Sequence, residues 1–166
     1  MRITAQFVFF FSENDVFSQW YPSPFTVKGR HFPTAEHYMM YCKACLFGDE
    51  RSADLILQAS TPREAKAIGR KVANFNAEVW DNKATSYVRQ ASLAKFRQNK
   101  VIRTTLLKHA GKQFVEASPY DKIWGVGLRE YDERILNPNH WLGRNLLGQV
   151  ITHVANELSI EFANEC

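Results

Sequence analysis

No stretch of these 166 residues approaches the ~20 consecutive apolar residues that a helix needs to cross a bilayer. The opening MRITAQFVFFFSEND has one early Arg and a short apolar run. It lacks the length and the small-residue cleavage site of a signal peptide, so it reads as a strand and the protein is expected in the cytoplasm, without a membrane partner. Long runs of Lys and Arg are also missing. The net charge of +4 is a mild basic excess. It suits an anionic ligand (a phosphate, a nucleotide or nucleic acid) but gives no basic tail. There is no internal repeat, no low-complexity tract and no Pro/Gly-rich linker. Residues 1–166 therefore read as one domain, with its core over about residues 7–158.

Cysteine is scarce: there are three. Cys42 and Cys45 form a lone C-x-x-C with no second pair and no H-x3-H, which leaves a zinc site short of ligands. They read as two small apolar residues one turn apart on a buried helix, with a redox pair as the alternative. His31, His37, His109, His140 and His153 fall into no metal or triad spacing. No metal and no cofactor is expected.

What is present is mostly helical periodicity. Phe7–Phe11 reads as a strand, and Phe25–Lys28 with Arg30–Phe32 as a hairpin around Gly29. Thr34 caps a helix that runs to about Phe47, where Gly48 ends it. Asp49 opens a second helix to about Gln58. Thr61-Pro62-Arg63-Glu64 combines cap, first-turn Pro and capping-box Glu, and starts a helix reaching about Lys71. A long helix over about residues 78–97 carries the stripe Ala84, Tyr87, Val88, Ala91 and Ala94, which Lys95 breaks. A helix over about 101–110, a short strand over 114–117 and a helix over about 145–158 follow. The tail from Ser159 reads as loose. The fold class is α+β and mostly helical: a compact multi-helix domain with a few short strands.

The helix from Glu36 to Phe47 is apolar on every side except for Glu36, His37 and Lys43, which marks it as buried. Glu36 and Lys43 are seven apart. They share a face to within about 20° and stand roughly 10 Å apart along the axis, with Met40 between them. That is too far for a one-turn ion pair and suits two groups facing one ligand. Each also has an ordinary reading. Glu36 can serve the helix dipole in the first turn, and Lys43 can snorkel to water.

Long loops in a compact domain are usually functional, and residues 12–24 and 118–143 qualify. In the first, Trp20, Tyr21 and Phe25 can stack on a heterocycle or simply pack. In the second, Asp121 and Trp124 can converge if the loop turns. Gly125 and Gly127 let a ligand approach the backbone, though the pattern is not a dinucleotide fingerprint. Asn145 can cap the last helix, and Arg144 stands beside that helix's positive end, a ready anion site. Gly69-Arg70 and Trp80-Asp81 are further polar or aromatic spots.

These motifs, in this order, resemble the YbiA-like family, also called the NADAR superfamily. They are the 18–25 loop, Pro33-Thr-Ala-Glu-His-Tyr38 with Lys43, Gly69-Arg70, Trp80-Asp81, Lys95-Phe96, Asp121 with Trp124-Gly-Val-Gly127, and Gly143-Arg-Asn-Leu-Leu-Gly148. The resemblance covers nearly the whole chain. It implies an enzyme, an N-glycosidase that hydrolyses the C1′–N bond of phosphorylated ribosyl compounds such as riboflavin-pathway ribosylamino-pyrimidine phosphates. One alternative is removal of ADP-ribose from guanine bases, which makes ADP-ribosylated nucleic acid a possible partner. Another is a non-catalytic nucleotide-binding module. The resemblance also implicates Lys43, Glu36 and Asp121 in catalysis. Trp124, Trp20, Trp80, Gly125, Gly127, Arg144, Asn145 and Arg70 are the expected substrate contacts. Gln19-Trp20 and Val126 depart from the family's frequent Asn-Phe and Asp, which bears on substrate identity.

Overall fold

The computed structural model describes residues 1–165 and divides them into two compact units. One joins Met1–Ser18 to the residues from Lys100 onward; the other is Gln19–Asn99.

The first unit is built on a three-stranded sheet of β1 (Arg2–Ile3), β2 (Phe7–Phe10) and β5 (Gln113–Glu116), in the order β1-β2-β5. β1 and β2 are antiparallel, while β2 and β5 are parallel with Phe7 opposite Gln113 and Phe10 opposite Glu116. All four residues of β2 are buried. A continuous apolar strand of this kind is what a parallel pairing covered on both faces requires. Phe7, Phe9, Val115, Val126, Leu128 and Ile135 form the core on one side, with Trp141 packed against them. Phe10, Phe17 and Phe114 pack edge to face nearby. α5 (Lys100–Lys108) and α6 (Leu146–Glu161) complete the unit, and α6 packs on β5.

The tail from Ser159, read from sequence as loose, is ordered through Glu165. α6 runs on to Glu161, and a 3₁₀ turn spans Ala163–Glu165. The Arg103 guanidinium makes two 2.9 Å hydrogen bonds to the Glu165 carboxylate and lies 4.1 Å from the Phe162 ring centroid. A paired, ring-stacked arginine gives the last turn an anchor that helical periodicity cannot reveal. Cys166 lies outside the described residues.

The second unit opens with a hairpin, β3 (Phe25–Val27) and β4 (Arg30–Phe32). Lys28 and Gly29 both have positive φ at its turn, as a two-residue type I′ loop demands. Four helices follow: α1 (Ala35–Leu46), α2 (Glu50–Gln58), α3 (Pro62–Gly69) and α4 (Ala77–Gln98). Their starts obey the local chemistry. Thr34, Asp49, Thr61 and Asn76 each accept a backbone N–H of the first turn. The Glu64 carboxylate returns to the Ser60 N–H, one residue earlier than an ideal capping box. α1 packs against α2, α3 and α4 and is the spine of this unit. No helix among the described residues is long and apolar enough to cross a membrane.

Candidate active site

α1 is not buried all round. Ala35 to Met40 and Ala44 are buried, whereas Tyr41, Cys42 and Lys43 are half-buried and Cys45 is exposed. An apolar composition tells what a helix can bury but not where its neighbours stop, and here burial gives way in the last two turns. The cysteines shift accordingly. Both are free, and burial pushes the Cys42 thiol up to about 11, so it stays protonated. His37 is a packing residue. Its Nε2 bonds the Ala59 carbonyl at 2.9 Å and its Nδ1 the Thr34 hydroxyl at 2.7 Å, and burial lowers its pKa so that the neutral ring is kept.

Glu36 and Lys43 do share a face. Glu36 is 7% exposed, and its backbone N–H donates to the Gln19 carbonyl at 3.0 Å, which ties the 18–25 loop to the start of α1. Met40 lies between the two. α3 closes on it at Gly69, where a Cβ would come 2.9 Å from Met40 Cγ, so a larger residue there would have to displace the Met40 side chain. Lys43 does not snorkel free. Its Nζ lies 4.6 Å from the ring centroid of Phe75 and 5.6 Å from that of Trp80. Burial lowers the Lys43 pKa, and the Glu36 charge partly opposes that shift. Trp80 is itself buried and stacks on Tyr87 at 6.1 Å.

Two other expected residues of this unit are Trp20 and Arg70. Trp20 is half-exposed, with the Arg63 guanidinium 6.0 Å and the Lys66 ammonium 5.8 Å from its ring. Arg70 is exposed at the C-terminus of α3.

Sequence reasoning missed Phe75 and the depth of Lys95. Phe75 is 48% exposed and packs edge to face on Phe47 at 5.4 Å. It follows Asn74, whose φ is +62°, and Ala73, whose N–H is held by the Asp49 carboxylate at 2.9 Å. Lys95 is 2% exposed, with its Nζ 5.8 Å from the Tyr21 ring and 5.1 Å from the Phe96 ring. Burial brings its pKa down to about 7. The broken stripe on α4 and the Lys95-Phe96 motif of the resemblance were the signals of it.

In the first unit the expected residues sit in a loop braced by main-chain bonds. The Ser118 hydroxyl accepts the N–H groups of Tyr120 and Asp121. Asp121 Oδ1 accepts those of Ile123 at 2.9 Å and Trp124 at 2.8 Å, so the two predicted partners converge through the backbone. Gly125 fits against the carbonyls of Asp121 and Glu116, where a Cβ would come within 2.9 Å of both oxygens, and Gly127 has φ +73°. Asn145 occupies the N-cap position of α6 but makes no side-chain cap. It is buried in the left-handed conformation, its Oδ1 accepting the Glu116 N–H and its Nδ2 donating to the Phe114 carbonyl. The amides of Leu146 and Leu147 donate to the carbonyls of Ile123 and Trp124. Those two donors of the helix end are therefore occupied. Arg144 is exposed and Trp124 half-buried. Among the described residues no group of three His, Cys, Asp or Glu is placed to hold a metal ion.

The NADAR domain family matches residues 8–159. The chain belongs to the NADAR family. An N-glycosidase of Acanthamoeba polyphaga mimivirus is 39% identical over 93% of this chain and 97% of its own length. Protein irg-1 of Caenorhabditis elegans is 37% identical over 93% of this chain and 81% of its own. The solved NMR structure of Escherichia coli YbiA superposes with a TM-score of 0.77 at 29% identity, covering 96% of this chain and 89% of that one. The α+β, mostly helical architecture is thus that of a NADAR protein, and the chain is an enzyme of the hydrolase class.

Proposed function

We propose that this enzyme hydrolyses the C1′–N bond of a phosphorylated ribosyl compound, of the kind a ribosylamino-pyrimidine phosphate represents, with Lys43 as nucleophile. The observation that carries this reading is the state of Lys43: an amine half-buried against Phe75 and Trp80, its pKa lowered by burial, one heptad from a buried carboxylate. Relatives named N-glycosidase supply the reaction class.

The chemistry balances as follows. The neutral amine of Lys43 attacks C1′ while the C1′–N bond breaks, and the electron pair leaves with the base nitrogen, which takes up a proton. Opening of the C1′–O4′ bond gives a Schiff base between Lys43 and the ribose phosphate, and O4′ is protonated. Water adds to C1′ and releases the sugar and the amine, so the net reaction consumes one water. Glu36 holds and returns protons along this path and stabilises positive charge as it develops at C1′. Trp80 covers the amine and excludes water. Trp20 stacks a ring of the ligand, and Arg70 meets a phosphate at the rim. In the first unit, Asp121, Gly125, Gly127 and Asn145 shape the loop that carries Trp124 and Arg144, which are ligand-contact candidates in their own right. No step draws on a metal or cofactor.

One observation favours a larger substrate. Arg63 and Lys66 both gather on Trp20, a cationic aromatic platform that suits a second phosphate and a second base. Release of ADP-ribose from guanine is the reaction that would use it.

The test is incubation with ribosylamino-pyrimidine phosphates and with ADP-ribosyl-guanosine, reading released base by mass spectrometry. Borohydride should trap a ribosyl adduct on wild-type protein and not on Lys43→Ala. Full activity in Lys43→Ala would overturn the nucleophile. Because burial lowers its pKa, trapping should persist at pH values where an ordinary lysine is fully protonated.

A further inference from the structure

Phe75 has no part in the reaction as written, yet its ring centroid lies 4.6 Å from the reacting nitrogen. For Lys43 to attack, C1′ must come to about 3–3.5 Å from Nζ. The leaving nitrogen lies one C–N bond further, about 1.45 Å, on the side away from the attack. The departing base therefore begins some 5 Å from Nζ, as far out as the Phe75 ring centroid at 4.6 Å. Two rings flank Nζ at this distance, and they are not equivalent. Trp80 is 9% exposed and has Tyr87 stacked on it, so little of its surface is left for a ligand. Phe75 is 48% exposed, and Phe47 covers it only edge to face. Part of the Phe75 ring beside the nucleophile is therefore left for a planar ligand to cover.

The ring is also held in place. Asp49, whose carboxylate caps α2, accepts the Ala73 N–H, and Asn74 takes a left-handed turn that redirects the chain just before Phe75. These hydrogen bonds keep the Asp49 carboxyl below its usual range, so the anchor stays ionised. A base arriving at C1′ meets a ring already in position, and stacking then costs little ordering.

We propose that Phe75 is a specificity-determining residue that stacks on the planar leaving base of the N-glycoside, so that the enzyme selects ribosyl compounds by the aromaticity of the group they lose. This rests on Lys43 as the nucleophile. Stacking of one base on an aromatic side chain contributes about 1–3 kcal/mol, which corresponds to roughly a 5- to 150-fold change in kcat/KM.

The experiment compares Phe75→Ala, Phe75→Leu and Phe75→Tyr with wild type and Lys43→Ala on a ribosylamino-pyrimidine phosphate. Leucine keeps apolar cover over Lys43 without a π face; tyrosine keeps the ring. Phe75→Ala and Phe75→Leu should both lose tenfold or more in kcat/KM, mostly through KM, while Phe75→Tyr stays near wild type. A Phe75→Leu enzyme equal to wild type, with Lys43→Ala inactive, would overturn the stacking role and leave the nucleophile standing. Equal loss in Phe75→Tyr would also overturn it. Full activity in Lys43→Ala, or no base released by wild type, would overturn the reading on which it rests.

Discussion

Two stretches of this protein were expected to carry its chemistry, and they are built in opposite ways. In α1 the backbone is spent on its own helix, and the proposed chemistry falls to the side chains of Glu36 and Lys43. In residues 118–148 the side chains are spent on the backbone. Ser118, Asp121 and Asn145 all bond main-chain groups, and Gly125 and Gly143 are filled by neighbouring carbonyls. A substitution in α1 should therefore change chemistry and spare the fold, whereas one in the loop should change the fold first.

The largest effect that tests this contrast is at Lys43. Lys43→Ala should lower base release by about a thousandfold or more, the scale of losing a nucleophile, while the thermal midpoint holds or rises because a half-buried cation is removed. A thousandfold loss accompanied by a collapsed melting transition would break the comparison from its α1 side.

Next comes Gly143→Ala. A Cβ there would lie 2.7 Å from Lys122 Cα, and nearer still to the Gly125 carbonyl, both of which are main chain and cannot step aside. Overpacking of this kind costs about 1–3 kcal/mol, and more against backbone, or roughly 2–4 °C per kcal/mol in a chain of this size. Calorimetric melting checks it, and an unchanged midpoint would mean that the loop is not braced as described.

Asn145→Ala follows. It leaves the Glu116 N–H and the Phe114 carbonyl without their partner and places alanine in a left-handed conformation. Each unsatisfied buried group costs about 1–3 kcal/mol. Because only one residue changes and strand β5 can relax, a total of about 2–3 kcal/mol by denaturant titration is expected. Asn145→Asp should recover the acceptor half of that loss and no more.

The same contrast explains what could be read from the sequence. Helix starts were legible because a cap is a local event: Thr34, Asp49 and Thr61 act within three residues of themselves. The shared face of Glu36 and Lys43 follows from helical geometry alone. Phe75 was not legible, because its approach to Lys43 depends on the long-range bond between Asp49 and Ala73. Asn145 looked like a cap because Asn commonly is one. Its left-handed backbone turns the side chain instead toward the carbonyl and amide of a strand some thirty residues earlier. Reaction class came from family likeness, since no spacing of residues by itself specifies cleavage of an N-glycosidic bond.

The last prediction concerns Lys95 and asks whether a buried lysine on a helix always serves chemistry. Its folded pKa is near 7 against an ordinary 10.5, so between those values the folded chain binds fewer protons than the unfolded one. Stability must then rise with pH across that window, by up to about 1.4 kcal/mol per unit, and show no Lys95 contribution to the slope below it. Other groups titrate nearby. Lys43 is lowered and adds slope of the same sign, while the raised Cys42 thiol subtracts above pH 9. Subtracting the curve of Lys95→Met from that of wild type removes both, and between pH 7 and 9 the difference should climb with pH. A flat difference would mean that Lys95 stays charged where it lies, held by its surroundings. In that case Lys95 would be a paired cation built into α4 rather than a tolerated cost.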